Sequence, residues 1–234
     1  MISVIIPVFN QADKIGKTLD SLLTQEERGL EVIVVNDGSK DAIEPALAAY
    51  EEKFKQAGMA YQYFSQENKG APAARNRGFA ASSGEYLFFC DADAILKPEA
   101  LKIMKDELEA HPDKAYVYSS FLWGSKLFKI GPFSEERLKS APFIHTMSLI
   151  RRAAYPGSGW DESVKKLQDW DLWLTMLDAG HQGVWIDQVL FTVSPGGTIS
   201  SWLPSFAYKL LPFLPQVKKY KTAVANIKRK HHLE

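Results

Sequence analysis

Apolar and polar positions alternate along the first hundred residues in two distinct rhythms. Ser3–Phe9 (SVIIPVF) is an unbroken, β-branched run, the mark of a strand buried on both faces. From Asp13 to Thr24 the apolar side chains fall at Ile15, Leu19, Leu22 and Leu23, which is helical spacing. A second buried strand is predicted over Glu31–Val35 (EVIVV), closed by the turn cluster Asn36-Asp37-Gly38-Ser39. A helix over Asp41–Lys55, a strand over Ala60–Ser65, a helix over Ala71–Ala81, a strand over Tyr86–Cys90 (YLFFC) and a helix over Lys97–Ala110 follow. Strands alternating with helices of this length require right-handed crossovers. The fold class is therefore α/β, Rossmann-like, with a doubly wound, mostly parallel sheet flanked by helices.

The second half is less regular. Ala115–Lys129 predicts one or two strands ending near Gly131-Pro132, and Gln168–Ala179 a helix with Gly180 as its C-cap. Gly183–Val193 reads as a strand and Ser194-Pro195-Gly196-Gly197 as a loop. Pro204, Pro212 and Pro215 break any long helix in the tail, leaving Gln216–Lys230 with Val217, Tyr220, Val224 and Ile227 on one face. The 234 residues thus divide into a domain over 1–201 and a tail over 202–234.

Charge sharpens that division. The chain has 28 Lys and Arg against 28 Asp and Glu, a formal net charge of zero. Yet seven Lys or Arg and no acid stand between Gln188 and Leu233, while residues 1–187 carry 21 bases against 27 acids. Two readings of the tail follow: a solvated helix packed on the domain, or, with Trp202, Phe206 and Phe213 beside the lysines, an element over 202–230 that meets an anionic membrane surface. The second is favoured, and nucleic acid is not expected as a partner. One cysteine, Cys90, excludes an intramolecular disulfide and a cysteine-built zinc site. No apolar stretch approaches the ~18 residues of a membrane span, and MISVIIPVF lacks the basic n-region of a signal peptide. The expected location is cytoplasmic, peripheral to the membrane's inner face.

In open parallel sheets ligands bind at the carboxyl ends of the strands. Three such ends carry polar residues: Asn10, Asn36-Asp37 and Asp91-Ala92-Asp93. Each alone is an ordinary turn residue; three on one sheet edge point to a site. Asp91 and Asp93, two apart in an extended segment, project to the same side. Their mutual repulsion is relieved by a divalent cation such as Mg²⁺ or Mn²⁺, which takes one or two carboxylates and completes its shell with water and phosphate. Arg75, on the helix opened by Gly70, is placed to reach a phosphate group. Asp169-Trp170-Asp171 opens the late helix, where either aspartate is a capping residue or a general base desolvated by its indole neighbours. No GxGxxG or GxxxxGK[ST] motif is present.

Together, SVIIPVFN (3–10), EVIVVNDGSKD (31–41), GAPAARNRGFAASSGEYLFFCDADAIL (70–96), MSLIRRAAY (147–155), GWDES (159–163) and LQDWDLWL (167–174) resemble an inverting family 2 glycosyltransferase of the GT-A fold, over roughly residues 1–197. The resemblance implies that Pro7, Phe9 and Asn10 flank a nucleotide base and that Asp37 accepts a hydrogen bond from it, commonly from uracil. It places Arg75 at a phosphate or base contact, Asp91-Ala92-Asp93 at the DxD motif with Asp93 the direct metal ligand, and Asp169 as the general base. The implied reaction moves one sugar, with Mn²⁺ or Mg²⁺, from a nucleotide-sugar such as a UDP-sugar to a hydroxyl of a saccharide or lipid-linked acceptor of the cell envelope. Three departures stand out: Gln168 where relatives have Glu, Thr175 where many have Arg, and no histidine in the 194–197 loop. No QxxRW motif is present, against a processive synthase. Two alternatives are a non-catalytic nucleotide-sugar-binding module and a sugar-phosphate nucleotidyltransferase; the second needs a Gly-rich loop where Asn10-Gln11-Ala12-Asp13 stands.

Overall fold

The unbroken apolar runs become the middle of a sheet. In the computed structural model, which describes residues 1–195 and 214–233, nine strands join: β1 (Ile2–Val8), β2 (Leu30–Asn36), β3 (Ala60–Ser65), β4 (Tyr86–Phe89), β5 (Ala94–Leu96), β6 (Tyr116–Trp123), β7 (Lys126–Phe128), β8 (Leu149–Arg151) and β9 (Gly183–Val193). Their order is β3-β2-β1-β4-β8-β6-β9-β5, with β7 beside β6. The long ladders β1–β2, β2–β3, β1–β4 and β6–β9 are parallel, and the short β8, β5 and β7 pair antiparallel. Every residue of β2 and β4 is buried, whereas β3, at the edge, is only partly covered.

Helices α1 (Ile15–Leu23), α2 (Ile43–Gln56), α3 (Ala71–Ala81), α4 (Ala100–Ala110), α5 (Glu135–Ser140), α6 (Gln168–Asp178) and α7 (Pro215–Lys230) complete the described residues. α2 buries Ile43, Leu47, Tyr50 and Phe54, one stripe at helical spacing. α3 packs on β1 and β2 without such a stripe, through small residues; a Cβ at Gly78 would lie 2.4 Å from Ile5 Cγ2. This close approach keeps the amino end of α3 beside the ends of β1 and β2.

The chain winds outward from β1 through β2 to β3, then returns to place β4 on the other side of β1. That reversal opens a crevice at the carboxyl ends of β1 and β4, the place where doubly wound sheets bind ligands. Phe9 and Asp91–Asp93 follow directly from those two strands.

Most predicted elements form, with ends moved by two or three residues. The helices predicted from Asp13, Asp41 and Lys97 start at Ile15, Ile43 and Ala100 because turns precede them; Gln11 O, for example, accepts both Lys14 N–H and Ile15 N–H. β5, β8 and α5 are additions, the two strands of three residues each and the helix of six, too short to carry a period. α7 buries Val217 and Ile227, as its predicted apolar face requires. The boundary at 201/202 and Trp202, Phe206 and Phe213 lie outside the described residues.

Candidate active site

Pro7, Phe9, Asp37, Arg75, Asp91, Asp93 and Asp169 line a single cleft of about 900 Å³ at the crevice. The structure therefore gathers residues from β1, β2, α3, the β4–β5 turn and α6. Asn10 is not among the lining residues. Its backbone is left-handed (φ 53°), a conformation Asn tolerates, and its side chain accepts Lys40 N–H at 2.7 Å, tying the loop after β1 to the loop after β2. Asp37 is buried and also holds backbone: its two oxygens accept N–H bonds from Lys69 (2.9 Å) and Gly70 (2.8 Å), and Gln66 Nε2 adds a third at 2.9 Å. Gly38 (φ 73°) lies so close to Asn68 N that a Cβ would sit 2.8 Å away, which keeps this loop packed against the start of α3.

Arg75 is buried on α3 with its guanidinium 4.5 Å from the Trp160 ring centre. Nη1 donates to Gln168 Oε1 at 3.3 Å and Nη2 lies 3.5 Å from Asp91 Oδ1. One side chain thus links the DxD segment to the first residue of α6. Asn76, one position on, fixes the indole's loop: Oδ1 accepts Trp160 N–H at 2.8 Å and Nδ2 donates to Trp160 O at 2.9 Å.

Asp93 is only 6% exposed. Burial and the neighbouring Asp91 push its carboxyl up to about 6, against the opposing pull of Lys14, whose Nζ is 3.9 Å away. A buried carboxylate beside a second one is a donor set suited to a hard divalent ion. Among the described residues no three His, Cys, Asp or Glu side chains form a metal-holding group. The pair Asp91 and Asp93 fits an Mg²⁺ or Mn²⁺ whose remaining positions go to water and phosphate.

Asp169 sits in the first turn of α6. It faces the cleft half-buried, and desolvation by the surrounding protein raises its carboxyl pKa; His145, Arg75 and the Trp170 N–H bond (2.9 Å) pull the other way. The residue before the helix, Leu167, is left-handed (φ 60°), a strained conformation for a branched side chain and one common near functional sites. The two indoles of this helix are buried and used structurally. Trp170 Nε1 donates to Leu138 O at 2.6 Å and Trp173 Nε1 to Ile144 O at 3.1 Å.

Asp171, the second candidate for a base, turns away from the cleft. It is 3% exposed and pairs with His231 Nε2 at 2.9 Å and Lys230 Nζ at 2.8 Å, both at the end of α7. The residue readings left Asp169 and Asp171 open; geometry separates them, one lining the cleft and one locking a helix.

The cleft also contains residues that sequence reasoning passed over. His145 lies in the irregular region between α5 and β8, its Nε2 3.7 Å from Asp91 Oδ2. No period or motif marks it. Only the preceding Ile144, anchored by Trp173, connects it to a recognisable element. Phe121, Trp123, Phe128 and Phe143 line the other half of the cleft, with Lys129, Arg137, Lys165 and Lys166.

A family profile described as Glycosyl transferase family 2 matches residues 3–157, more than half of the chain. The chain belongs to glycosyl transferase family 2. Among curated proteins, this family 2 chain is 32% identical over 193 residues to an uncharacterized glycosyltransferase of Rickettsia typhi, covering 76% of this chain and 58% of that one. It is 28% identical over 188 residues to chondroitin synthase of Escherichia coli, covering 77% of this chain and 27% of that protein. It therefore spans a little over half, or less, of these relatives' lengths. Among solved structures, Staphylococcus aureus TarS 1-349 in complex with UDP superposes with a TM-score of 0.70 at 20% identity, over 82% of this chain and 60% of that one. The mannosyltransferase PcManGT of Pyrobaculum calidifontis, in complex with GDP-Man and Mn2+, gives a TM-score of 0.68 at 21% identity, over 84% and 57%. These likenesses establish that the family 2 chain has the GT-A fold.

Proposed function

We propose that this family 2 protein is a glycosyltransferase that moves one sugar from a nucleotide diphosphate-sugar to an acceptor hydroxyl with inversion. The observation that supports it most is the convergence, in one cleft, of the Asp91/Asp93 pair, Arg75 and the desolvated Asp169. Pro7 and Phe9 offer apolar surface to the base, while Asp37 and Asn10 hold the loops around it. A UDP-sugar is the donor favoured. The TarS and PcManGT structures with UDP and with GDP-Man bear on the donor class.

Asp93 and Asp91 are the residues that would hold a divalent cation, which supplies charge neutralisation for the leaving diphosphate. Arg75 adds a fixed positive charge from the buried side. Asp169 takes the acceptor's proton, and its raised pKa makes it a stronger base than a solvated carboxylate. The oxygen so freed forms its bond to the anomeric carbon as the bond to the diphosphate breaks, in one displacement. The aromatic half of the cleft suits sugar faces, and its lysines and arginine suit an acceptor that carries anionic groups, free or lipid-linked. Among the described residues no helix is long and apolar enough to cross a membrane. Exposed Lys218, Lys219 and Lys221 on α7 favour a peripheral contact with anionic lipid through residues 202–230.

Release of nucleoside diphosphate from a panel of UDP- and GDP-sugars, with Mn²⁺ or Mg²⁺ and candidate acceptors, tests the reading. Metal-dependent transfer by the wild type and its loss in Asp169→Asn, with donor binding intact, is expected. Nucleotide binding without turnover on any pair would favour a binding module instead.

A further inference from the structure

His145 is held on every side but one. Its ring centre lies 4.8 Å from that of Phe121 and 5.6 Å from that of Phe191. Trp173 Nε1 fixes the carbonyl of the preceding residue, and Ser148 Oγ donates to the carbonyl of His145 itself at 2.9 Å. The N–H of Met147 donates to Nδ1 at 3.1 Å, so Nδ1 must present a lone pair. Nε2 is then the ring nitrogen that carries a proton. That nitrogen lines the cleft and faces Asp91 Oδ2 at 3.7 Å, beyond hydrogen-bond length. Arg75 Nη2 stands at a comparable 3.5 Å from the other oxygen of Asp91. Two N–H donors thus flank the first DxD carboxylate loosely, open to a ligand oxygen.

We propose that His145 is a fixed Nε2–H donor to the diphosphate of the bound nucleotide-sugar. It rests on the glycosyltransferase reading above. A nitrogen that carries a proton has no lone pair for a metal, and a backbone N–H already occupies Nδ1. As the bond from the anomeric carbon to the diphosphate oxygen breaks, its electron pair passes to that oxygen and the hydrogen bond strengthens. The proton stays on Nε2; the acceptor's proton goes to Asp169. A donor aimed at developing charge acts on kcat more than on substrate affinity.

The first test needs no turnover. Long-range ¹H–¹⁵N NMR of the full chain at neutral pH, with His145→Gln used to assign its signals, should show the proton on Nε2 and none on Nδ1. A proton on Nδ1 overturns the proposal. The second test is kinetic. His145→Gln, whose amide N–H reaches a similar point, should keep kcat within about tenfold, whereas His145→Leu should lose on the order of 10²-fold in kcat with acceptor KM and melting temperature little changed. Equal losses in both variants, or recovery of His145→Leu by excess Mn²⁺, overturns it. Failure of the wild type to turn over any donor would sink the glycosyltransferase reading instead, which the tautomer measurement distinguishes.

Discussion

Replacing Asp171 by Asn should uncouple α7 from α6 while leaving the shape of the side chain intact. Asp171 and His231 each have side chains only 4% exposed and meet at 2.9 Å, while His231 Nδ1 meets Asp178 Oδ2 at 2.7 Å. Breaking a buried pair by removing one charge typically costs about 3–5 kcal/mol, because the partner stays buried. Asp178 is half exposed and keeps one bond to His231, so the lower end, about 3 kcal/mol, is expected. The Lys230 arm, itself more than a third exposed, adds at most about 1 kcal/mol. At roughly 2–4 °C per kcal/mol for a domain of this size, melting should fall by about 6–12 °C.

The loss should also depend on pH. Burial disfavours the imidazolium of His231, but its bonds to Asp171 and Asp178 outweigh this and raise the pKa above the usual ~6.5. A raised folded pKa contributes stability that is full below about 6.5 and disappears as pH rises through the folded value. Urea unfolding of both proteins on either side of that window should give a gap that narrows at high pH. A gap that is absent at low pH, or that keeps one size throughout, would refute the latch.

Asp169→Asn should lower kcat by about 10²–10⁴-fold with little change in donor affinity, measured by turnover and by calorimetry. Because the carboxyl of Asp169 is raised and must be ionised to act, the acid limb of the wild-type rate profile should lie above the ordinary carboxylate pKa of ~3.9; a flat rate down to that pH would contradict the assignment. Chelation of divalent ions should abolish transfer and Mn²⁺ or Mg²⁺ restore it, while Asp93→Ala should not respond to added metal. Gly78→Ala should destabilise the fold by about 1–3 kcal/mol in urea, since its Cβ would enter the van der Waals space of Ile5.

The sheet was legible because its strands are buried on both faces: short β-branched runs such as EVIVV, closed by turn residues, suit the middle of a parallel sheet. The polar residues after those runs marked the carboxyl edge, and Asp37, Asp91 and Asp93 do stand in the cleft there. What escaped was set by packing rather than by period. β8 is three residues long and exists because β4 and β6 each offer it an edge. His145 has no signature of its own; its position comes from Trp173, about thirty residues later, through one hydrogen bond to Ile144. Asn10 shows the converse: a residue marked by its place in the sequence turns out to spend its side chain on Lys40 N–H. Asp169 and Asp171 could not be told apart by spacing, because their difference is made by the far end of the chain.

That last point changes what the charge segregation means. The basic tail does not act as one block. Lys230 and His231, at the end of α7, pair with Asp161, Asp171 and Asp178, and Lys230 holds the carboxyl of Asp161 down at about 2. Its lysines at the start of α7 stay exposed, on the same stretch as Gln216 and Tyr220, which line the cleft. The last turn of α7 is therefore tied to α6 and Asp161 by ion pairs, while Lys218, Lys219 and Lys221 near its start are exposed. The joint is made on α6, two residues after Asp169. Anything that pulls on α7 thus pulls on the helix that carries the proposed base.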